Sequence, residues 1–358
     1  MKKEKIIYIY PTTSAFVKKD LEFLSKKYDL IVPDSNWNNK KNTPFLFLKQ
    51  FFYLLRYLYA ARAVFVMFGG YWAFLPALFG KILKKPVFII LGGTDCVSFP
   101  SINYGSLGHP LLRLFIKWSY QLCTLLVPVD ESLVLNTYSY YEDRVYDQQG
   151  YKFFFPLIKT PYRVVHNGFD IHLFQRDHSN QKEPNSFITV ATTADFKRFK
   201  LKGVDRIVEL AKAFPQCSFT VVGMSDHIVQ RIEGLPDNFT AYGFLPPQEF
   251  KNYLSKSEFY VQLSISEGFP NAVCEGMLCE CIPIGSSVGA IPFIIQDTGF
   301  IMESSNFDYL KQRFETIINL NPETKKELAR KARLRVVEHF RIEKREKLFL
   351  ELVEKYAR

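Results

Sequence analysis

The chain has 358 residues, 47% of them hydrophobic and 16% aromatic, which is enough to fill two domain cores and excludes a disordered or fibrous protein. The formal net charge is +10, and residues 1 to 165 hold the whole excess, with 21 Lys and Arg against 11 Asp and Glu; residues 166 to 358 have 25 of each. This field favours an anionic partner of the first half, either a membrane surface or an acidic acceptor. Nucleic acid is not expected, because the chain has no helix-turn-helix, finger or RNA-binding signature.

In the first 165 residues, apolar strand-like runs alternate with helical patterns, which is typical of a parallel α/β domain. Strands are predicted over residues 5–11, 29–33, 63–68, 86–91, 124–130 and 162–165, and helices over residues 16–28, 44–61, 72–84 and 110–123. Residues 138–159 show no clean period and are interpreted only as a helix with a connecting loop.

The predicted helix over residues 44–61 lacks the polar face of an ordinary surface helix. Only Lys49 and Arg56 interrupt its apolar sequence. Such a helix is either deeply buried or rests its outer side on lipid, with basic groups and aromatic rings near the interface. Both interpretations remain open at this stage.

The second half repeats the α/β alternation after a polar linker over residues 177–185. Strands are predicted over residues 186–193, 218–223, 240–244 and 258–266, and helices over residues 204–214, 247–257, 271–281, 307–320, 323–339 and 342–358. We therefore expect two α/β domains, over residues 1–165 and 166–340. A C-terminal helix is expected over residues 341–358.

The cysteines and the N-terminus predict a reducing compartment. Because no signal peptide precedes the first strand, we expect a cytoplasmic protein whose six thiols are free. Cys279 and Cys281 lack a second pair at ligand spacing, so packing is expected rather than a metal site. Residues 63–80 are 18 residues without a charge, but Gly69, Gly70 and Pro76 interrupt them, which favours soluble core over a membrane span.

Two glutamates, Glu267 and Glu275, stand eight residues apart across a predicted strand-to-helix turn. Pro270 precedes the helix, where its missing N–H costs nothing, and the free N–H groups of Asn271 and Ala272 can hold a phosphate. Glu267 is expected beside a bound sugar, and Glu275, one turn into the helix, within reach of ribose hydroxyls.

The order Ser264, Glu267-Gly-Phe269, Glu275 resembles the E-x7-E signature of retaining glycosyltransferases of family 4. The resemblance implies the GT-B fold, with two facing Rossmann-like domains. It makes residues 1–165 an acceptor-binding domain and residues 166–340 a nucleotide-sugar-binding domain, and it implies that the helix over residues 341–358 packs back on the first domain. It also implies transfer of a sugar, with retention, from a UDP- or GDP-linked donor to a glycan or lipid-linked acceptor, as in bacterial surface polysaccharide or glycoconjugate synthesis. Phe269 becomes a donor-binding candidate. No metal or other cofactor is implied, and we expect a cytoplasmic protein that can sit peripherally on the inner face of the membrane.

The basic run over residues 195–203 resembles the diphosphate loop of that family. Lys202 and Gly203 match the family pattern, but Phe196 occupies the position of the usual arginine. Arg198 is therefore expected to replace it in stabilising the leaving diphosphate, with Lys197 and Lys200 as alternatives.

Three further places follow from the resemblance. Thr12 and Thr13 stand where the family carries glycines near the donor phosphates. Gly92 replaces a histidine, which leaves Asp95 either as a catalytic residue in contact with substrate or as the cap of a tight turn. The turn formed by residues 243–245 is expected beside the nucleobase through its backbone; its members are Gly243, Phe244 and Leu245.

Three alternative functions compete with this one. A nicotinamide-dependent dehydrogenase is disfavoured because the Gly-x-Gly-x-x-Gly turn is absent after the first strand. A sugar-nucleotide epimerase of the same architecture stays open. So does a non-catalytic carbohydrate- or membrane-binding protein, because Gly92 and Phe196 depart from the active pattern.

Overall fold

The computed structural model describes residues 3–37, 39–193 and 195–357. The chain divides into two compact units. The first unit comprises the described residues of Met1–Thr137, Gln148–Asn167 and Ile342–Arg358, and the second those of Tyr138–Asp147 and Gly168–Arg341.

The first unit alternates strands and helices as the sequence predicts. Its strands are β1 (Lys5–Ile9), β2 (Asp29–Ile31), β3 (Ala61–Met67), β4 (Val87–Leu91), β5 (Leu125–Pro128), β6 (Asn136–Thr137) and β7 (Gln148–Gln149). Its helices are α1 (Ala15–Lys27), α2 (Thr43–Tyr57), α3 (Tyr71–Ile82), α4 (Pro110–Leu122) and α5 (Tyr151–Phe154), together with α14 (Ile342–Tyr356), numbered by its place in the whole chain.

Among the described residues, the main sheet of the first unit is parallel, in the order β2-β1-β3-β4-β5. Its central strands are apolar and buried along most of their length because helices cover both faces. Helices α2, α3 and α4 pack side by side on one face, whereas α1 and α14 contact each other on the other. There Phe349 stacks on Phe65 of β3, with ring centroids 5.0 Å apart.

A buried ion pair fixes α14 to the first unit. The guanidinium of Arg345 donates to both oxygens of Asp20 in α1, at 2.7 and 2.8 Å, and to the carbonyls of Val165 and His166. Tyr8 in β1 donates to the same carboxylate at 2.8 Å. The C-terminal helix therefore packs with the first domain, as predicted, through a contact between residues 325 positions apart.

The second unit is built around a parallel sheet in the order β10-β9-β8-β11-β12-β13, again within the described residues. Its strands are β8 (Glu183–Thr193), β9 (Ser218–Met224), β10 (Phe239–Tyr242), β11 (Ser257–Gln262), β12 (Ile282–Ser286) and β13 (Phe300–Met302). Its helices are α6 (Phe196–Leu201), α7 (Val204–Ala213), α8 (Asp226–Val229), α9 (Pro247–Lys256), α10 (Asn271–Leu278), α11 (Ile291–Ile295), α12 (Phe307–Ile318) and α13 (Pro322–His339).

Three of the differences from the sequence prediction concern domain membership and secondary structure. Residues 138–147, placed by sequence in the first domain, belong to the second unit, where Tyr138 and Tyr140 are buried and donate to the carbonyls of Ile265 and Leu263. The basic run after β8 contains the short helix α6. In place of the strand predicted over residues 162–165, Tyr162 forms an isolated bridge with Leu126.

The outer side of α2 is exposed. Its buried residues are Leu46, Gln50 and Leu54, and its exposed apolar residues are Phe45, Leu48, Phe51, Phe52 and Leu55. The deeply buried alternative for this helix is therefore wrong. Across the described ranges, every helix is too short or too polar to span a bilayer.

Candidate functional site

The strand order of the second unit locates its candidate site. The order runs outward from β8 to β9 and β10 on one side and from β11 to β12 and β13 on the other, so it reverses between β8 and β11. Open α/β sheets bind ligands outside the carboxyl ends of the strands at such a reversal. Lys202 follows β8 and Glu267 follows β11, one on each side of that point.

Lys202 and Glu267 meet there. The ammonium Nζ lies 2.7 Å from Glu267 Oε1 and donates a hydrogen bond to it. The two side chains keep 27% and 11% of their surface exposed, so the pair is accessible to a ligand. The structure thus brings together a cation and a carboxylate that the sequence predicted at one site from separate segments.

Polar residues of β11 and the loop after it fix the orientation of Glu267. Its Oε1 also accepts from Ser264 Oγ at 2.7 Å and from Gln262 Nε2 at 3.2 Å. Over the ranges that the structure describes, Oε2 has no hydrogen-bond partner. One carboxylate oxygen is therefore held by the protein, and the other can accept from a ligand hydroxyl.

Tyr260 of β11 holds Gln262 in the orientation in which it donates to Ser264 and Glu267. Its hydroxyl donates to Gln262 Oε1 at 2.9 Å, and Gln262 Nε2 donates to Ser264 Oγ at 2.6 Å. Burial raises the pKa of Tyr260, and the nearby carboxylates of Glu275 and Glu267 raise it further. The phenol therefore stays protonated and keeps donating. Sequence reasoning missed Tyr260, Gln262 and Ser264 as site residues, although their spacing by two predicts side chains on one face of a strand.

Gly203 allows the loop after α6 to reach β11. Its φ is +68°, in the left-handed region, and a Cβ there would lie 2.1 Å from the carbonyl oxygen of Leu263. Ile265 N donates to Leu201 O at 2.8 Å and ties the two loops together. Glycine is required at this position for both its backbone conformation and the close approach.

Arg198 lies one helical turn before Lys202. Lys202 N donates to Arg198 O at 2.9 Å, and Asp195 caps the helix by accepting from Arg198 N at 2.7 Å. Residues four apart project from one side of a helix, so Arg198 is exposed on the side of Lys202. Lys200, one of its alternatives, instead lies 3.8 Å from Asp143 and over the ring of Tyr141.

Helix α10 begins directly after the Glu267 loop. Asn271 and Ala272 form its first turn and are half-buried, and Glu275 lies one turn further on. Gly276 lets the helix lie against the ring of Tyr260, because a Cβ would come within 2.7 Å of it. The predicted phosphate-binding turn and the second glutamate are thus part of the same strand-turn-helix segment as Glu267.

One predicted donor residue, Phe269, has its side chain in the core, and the turn at Phe244 is exposed. Phe269 is buried in the second unit, stacked on Phe169 and edge-on to Phe340, so its side chain is a core residue. Phe244 is 87% exposed at the end of β10. Beside it, Gly243 accepts from Gly223 N at 3.1 Å, and Leu245 is half-buried. This turn follows the edge strand, two strands from β8.

In the first unit, Thr12 and Thr13 line a cavity of about 350 Å³ at the carboxyl ends of β1 and β2. Tyr10, Asp34 and Asn36 also line it. These hydroxyl, carboxylate and amide groups suit a polyhydroxylated ligand. The two threonines thus line a polar cavity of the first unit.

The side chain of Asp95 is buried and accepts hydrogen bonds from the surrounding backbone and from Tyr120. Its carboxyl group is fully buried; Oδ2 accepts from Gly69 N and Tyr120 Oη at 2.8 and 2.9 Å, and Oδ1 from Gly92 N and Gly93 N at 3.2 and 3.1 Å. Burial raises its pKa. The catalytic interpretation is therefore replaced by the turn-stabilising one, since no part of Asp95 is exposed to substrate.

Gly92 is explained by the same turn. A Cβ there would lie 2.1 Å from the ring of Phe68, so a histidine does not fit without rearrangement.

Cys279 and Cys281 are buried and donate through Sγ to the carbonyls of Phe174 and Leu254. Within residues 3–37, 39–193 and 195–357, no three or more His, Cys, Asp or Glu side chains are grouped to hold a metal ion.

Comparison with known proteins gives local sequence matches. Residues 174–335 match the family described as Glycosyl transferases group 1. A trehalose synthase of Pyrococcus horikoshii is 34% identical over 110 residues, which are 30% of this chain and 25% of that protein. A phosphatidylinositol N-acetylglucosaminyltransferase chain of Arabidopsis thaliana is 23% identical over 130 residues, 34% of this chain and 29% of that protein. The matches thus span less than a third of each relative.

Solved structures match over nearly the whole chain. Sucrose-phosphate synthase of Thermosynechococcus elongatus has a TM-score of 0.74 at 16% identity and covers 99% of both chains. HepE of Anabaena, solved in complex with UDP and glucose, has a TM-score of 0.73 at 13% identity over 98% of this chain and 100% of that one. At such identities the likeness shows the fold. The chain therefore has the GT-B fold of glycosyltransferases, which confirms the predicted fold class, and its second unit carries the match to glycosyl transferases group 1.

Proposed function

We propose that this protein is a retaining glycosyltransferase that takes a sugar from a nucleotide-linked donor bound by the second unit. The observation that supports this most is the Lys202–Glu267 pair at the strand-order reversal, 2.7 Å from nitrogen to oxygen and still partly exposed. The match of residues 174–335 to glycosyl transferases group 1 and the UDP-bound structure of HepE point to the same donor class.

In the proposed reaction the bond between the anomeric carbon and the diphosphate oxygen breaks. The acceptor oxygen bonds to that carbon on the same face, and its proton passes to the departing diphosphate. Lys202 and Arg198 stabilise the diphosphate, together with the N–H groups of Asn271 and Ala272 at the start of α10. Glu267 Oε2 accepts from sugar hydroxyls and so orients the sugar, and Glu275 accepts from the ribose.

The acceptor is proposed to be a glycan or a lipid-linked molecule bound by the first unit, as in surface polysaccharide or glycoconjugate synthesis. Two features support this: the polar cavity lined by Thr12 and Thr13, and the exposed apolar side of α2. The positive charge of residues 1 to 165 favours an anionic membrane beside that helix. Peripheral membrane attachment is part of this proposal.

The first experiment is a thermal-shift screen of the full chain against UDP, GDP and their sugars. The best donor is then incubated with candidate acceptors, and the anomeric configuration of the product is read by NMR. A product with inverted configuration contradicts the retaining mechanism. Conversion of the donor to another sugar nucleotide without acceptor shows an epimerase, and binding with neither reaction shows a non-catalytic protein.

Glu267→Gln separates the sugar contact from the nucleotide contact. Because Glu267 is proposed to touch only the sugar, the variant should lower turnover by about tenfold or more and leave the affinity for the bare nucleotide within about twofold. Glu249→Gln, an exposed glutamate of α9, is the matched control. Unchanged turnover in the Glu267 variant removes that residue from the mechanism.

A further inference from the structure

The first unit contains a second cavity that the proposed reaction does not use. It has a volume of about 340 Å³ and lies between the N-terminal half of α4, the turn at Leu107 and the aromatic pair Phe154 and Phe155. Two cations of α4, Arg113 and Lys117, line it one helical turn apart, and none of its lining residues is acidic. Cavities of a few hundred Å³ are the size that small ligands occupy.

The guanidinium of Arg113 is held in place by aromatic rings. Its Cζ lies 5.4 Å from the ring centroid of Phe154 and 5.5 Å from that of Phe155, and Nη2 donates to the carbonyl of Phe154 at 3.3 Å. This uses one of five N–H donors. The rest of the guanidinium is ordered before any ligand arrives, which reduces the entropy cost of binding.

Neither cation is neutralised. Both are half-buried, and among the residues whose structure is described neither forms an ion pair with a carboxylate. Two partly desolvated like charges one turn apart on a helix repel each other. An anion between them removes that repulsion, and the planar guanidinium suits the oxygens of a phosphate.

The cavity opens beside exposed apolar side chains. Leu114 lines the cavity and is exposed, as are Leu111 and Trp118 on the same helix. Trp118 packs against Phe74 of α3, and α3 packs against α2, whose outer side carries the exposed residues described above. The cavity and the apolar sides of α2 and α4 therefore lie on one face of the sheet, called here the apolar face.

We propose that this cavity binds the headgroup phosphate of an anionic phospholipid, whose charge no ammonium group compensates, while the apolar face rests in the interfacial region of the membrane. Aliphatic and aromatic side chains then contact acyl chains, and Arg113 with Lys117 contacts the phosphate of the phospholipid headgroup. The inference rests on the membrane attachment proposed above and adds a specific site to it. It differs from general charge attraction, because it requires two particular cations.

The test compares two charge-matched double variants of the full chain. Arg113→Gln with Lys117→Gln removes the cations of the cavity, and Lys18→Gln with Lys347→Gln removes two exposed cations of α1 and α14 on the opposite face. Sedimentation is measured with phosphatidylcholine vesicles, with and without phosphatidylglycerol. Binding to the anionic vesicles should fall by about tenfold or more in the cavity variant and by less than about twofold in the control.

Equal losses in the two double variants, or binding that does not depend on phosphatidylglycerol, would overturn the proposal. Phosphorus NMR with glycerol 3-phosphate separates the sources of phosphate: saturable binding at Arg113 and Lys117 without vesicle binding assigns the cavity to a soluble phosphate and also contradicts it. Lys117→Gln alone, which leaves the Arg113 packing intact, should still weaken vesicle binding if the double variant is poorly folded. Nucleotide-induced thermal shifts of the same variants report the donor site separately.

Discussion

Two ion pairs of equal length, one in each unit, differ in burial and in hydrogen bonding. The nearest nitrogen-oxygen distance is 2.7 Å both for Arg345 with Asp20 and for Lys202 with Glu267. The first pair is almost fully buried, with 2% and 0% of the side chains exposed, and the second keeps 27% and 11%. Distance alone therefore does not tell a structural pair from one that is proposed to bind a ligand.

The difference lies in how many bonds the protein itself supplies. Both oxygens of Asp20 are bonded to Arg345, Tyr8 adds a further donor, and two carbonyls accept from the same guanidinium. Glu267 instead receives its three hydrogen bonds on one oxygen. Breaking a saturated buried pair by removing one partner is costly. Glu267 keeps an oxygen without a protein partner in the described residues, and Lys202 is proposed to move from this carboxylate to a diphosphate.

The largest effect is expected when the buried pair is broken. Arg345→Met leaves the Asp20 carboxylate buried without its cation, so the free energy of unfolding of the first unit should fall by about 3–5 kcal/mol. All three tryptophans, Trp37, Trp72 and Trp118, lie in the first unit, so tryptophan fluorescence during urea unfolding reports on it. Lys347→Met, an exposed change on the same helix, is the control and should be near neutral. A loss below about 1 kcal/mol for Arg345→Met would refute the structural assignment.

Next in size is the effect of Glu275 on nucleotide binding. Glu275→Gln removes a charged acceptor from the proposed ribose contact, which should weaken binding of the nucleotide by about 1.5–3 kcal/mol. Isothermal titration with the nucleotide found in the donor screen measures this. Glu249→Gln on α9 is the control and should leave the nucleotide affinity unchanged. If Glu275→Gln also leaves it unchanged, Glu275 does not contact the ribose.

A third prediction addresses the exposed pair directly. Lys202→Ala and Arg198→Ala should each reduce transfer by about tenfold or more, equal to about 1.4 kcal/mol of leaving-group stabilisation. The free energy of unfolding should fall by less than in Arg345→Met, because the Lys202–Glu267 pair is partly exposed and Ser264 and Gln262 still donate to Glu267. Lys200→Ala serves as control, since Lys200 faces Asp143. If only Lys202 matters, Arg198 does not replace the missing arginine and Lys197 is the next candidate.

The smallest expected effect concerns Asp205, in the first turn of α7 beside the site. Burial raises the pKa of its carboxyl above the usual 3.8. The protonated carboxyl is therefore favoured in the folded state. Its contribution to the free energy of unfolding is fully present below pH 3.8 and is lost as the pH rises through the pKa of the folded state. Asp205→Asn should match the wild type in melting temperature near pH 4 and exceed it increasingly toward neutral pH. A difference that does not depend on pH would contradict this assignment.

Much of this architecture could be predicted from local pattern. Apolar runs of five to seven residues between turns mark β1, β3 and β4, and the predicted helices over residues 110–123 and 307–320 end within two residues of α4 and α12. Glu267, Pro270 and Glu275 could be placed on one strand-turn-helix segment because their relation is set by only nine residues of chain. Such features depend on neighbours in sequence.

What the sequence by itself determined is therefore the α/β alternation, the two-domain fold class and the position of the two glutamates on their turn. Only the tertiary structure decided that Phe269 and Asp95 are buried and that residues 138–147 join the second unit. It likewise decided that α2 is exposed and that Arg345 meets Asp20 across 325 positions. The physical reason is that burial and ion pairing depend on which distant segments pack together, and no local spacing encodes that partner.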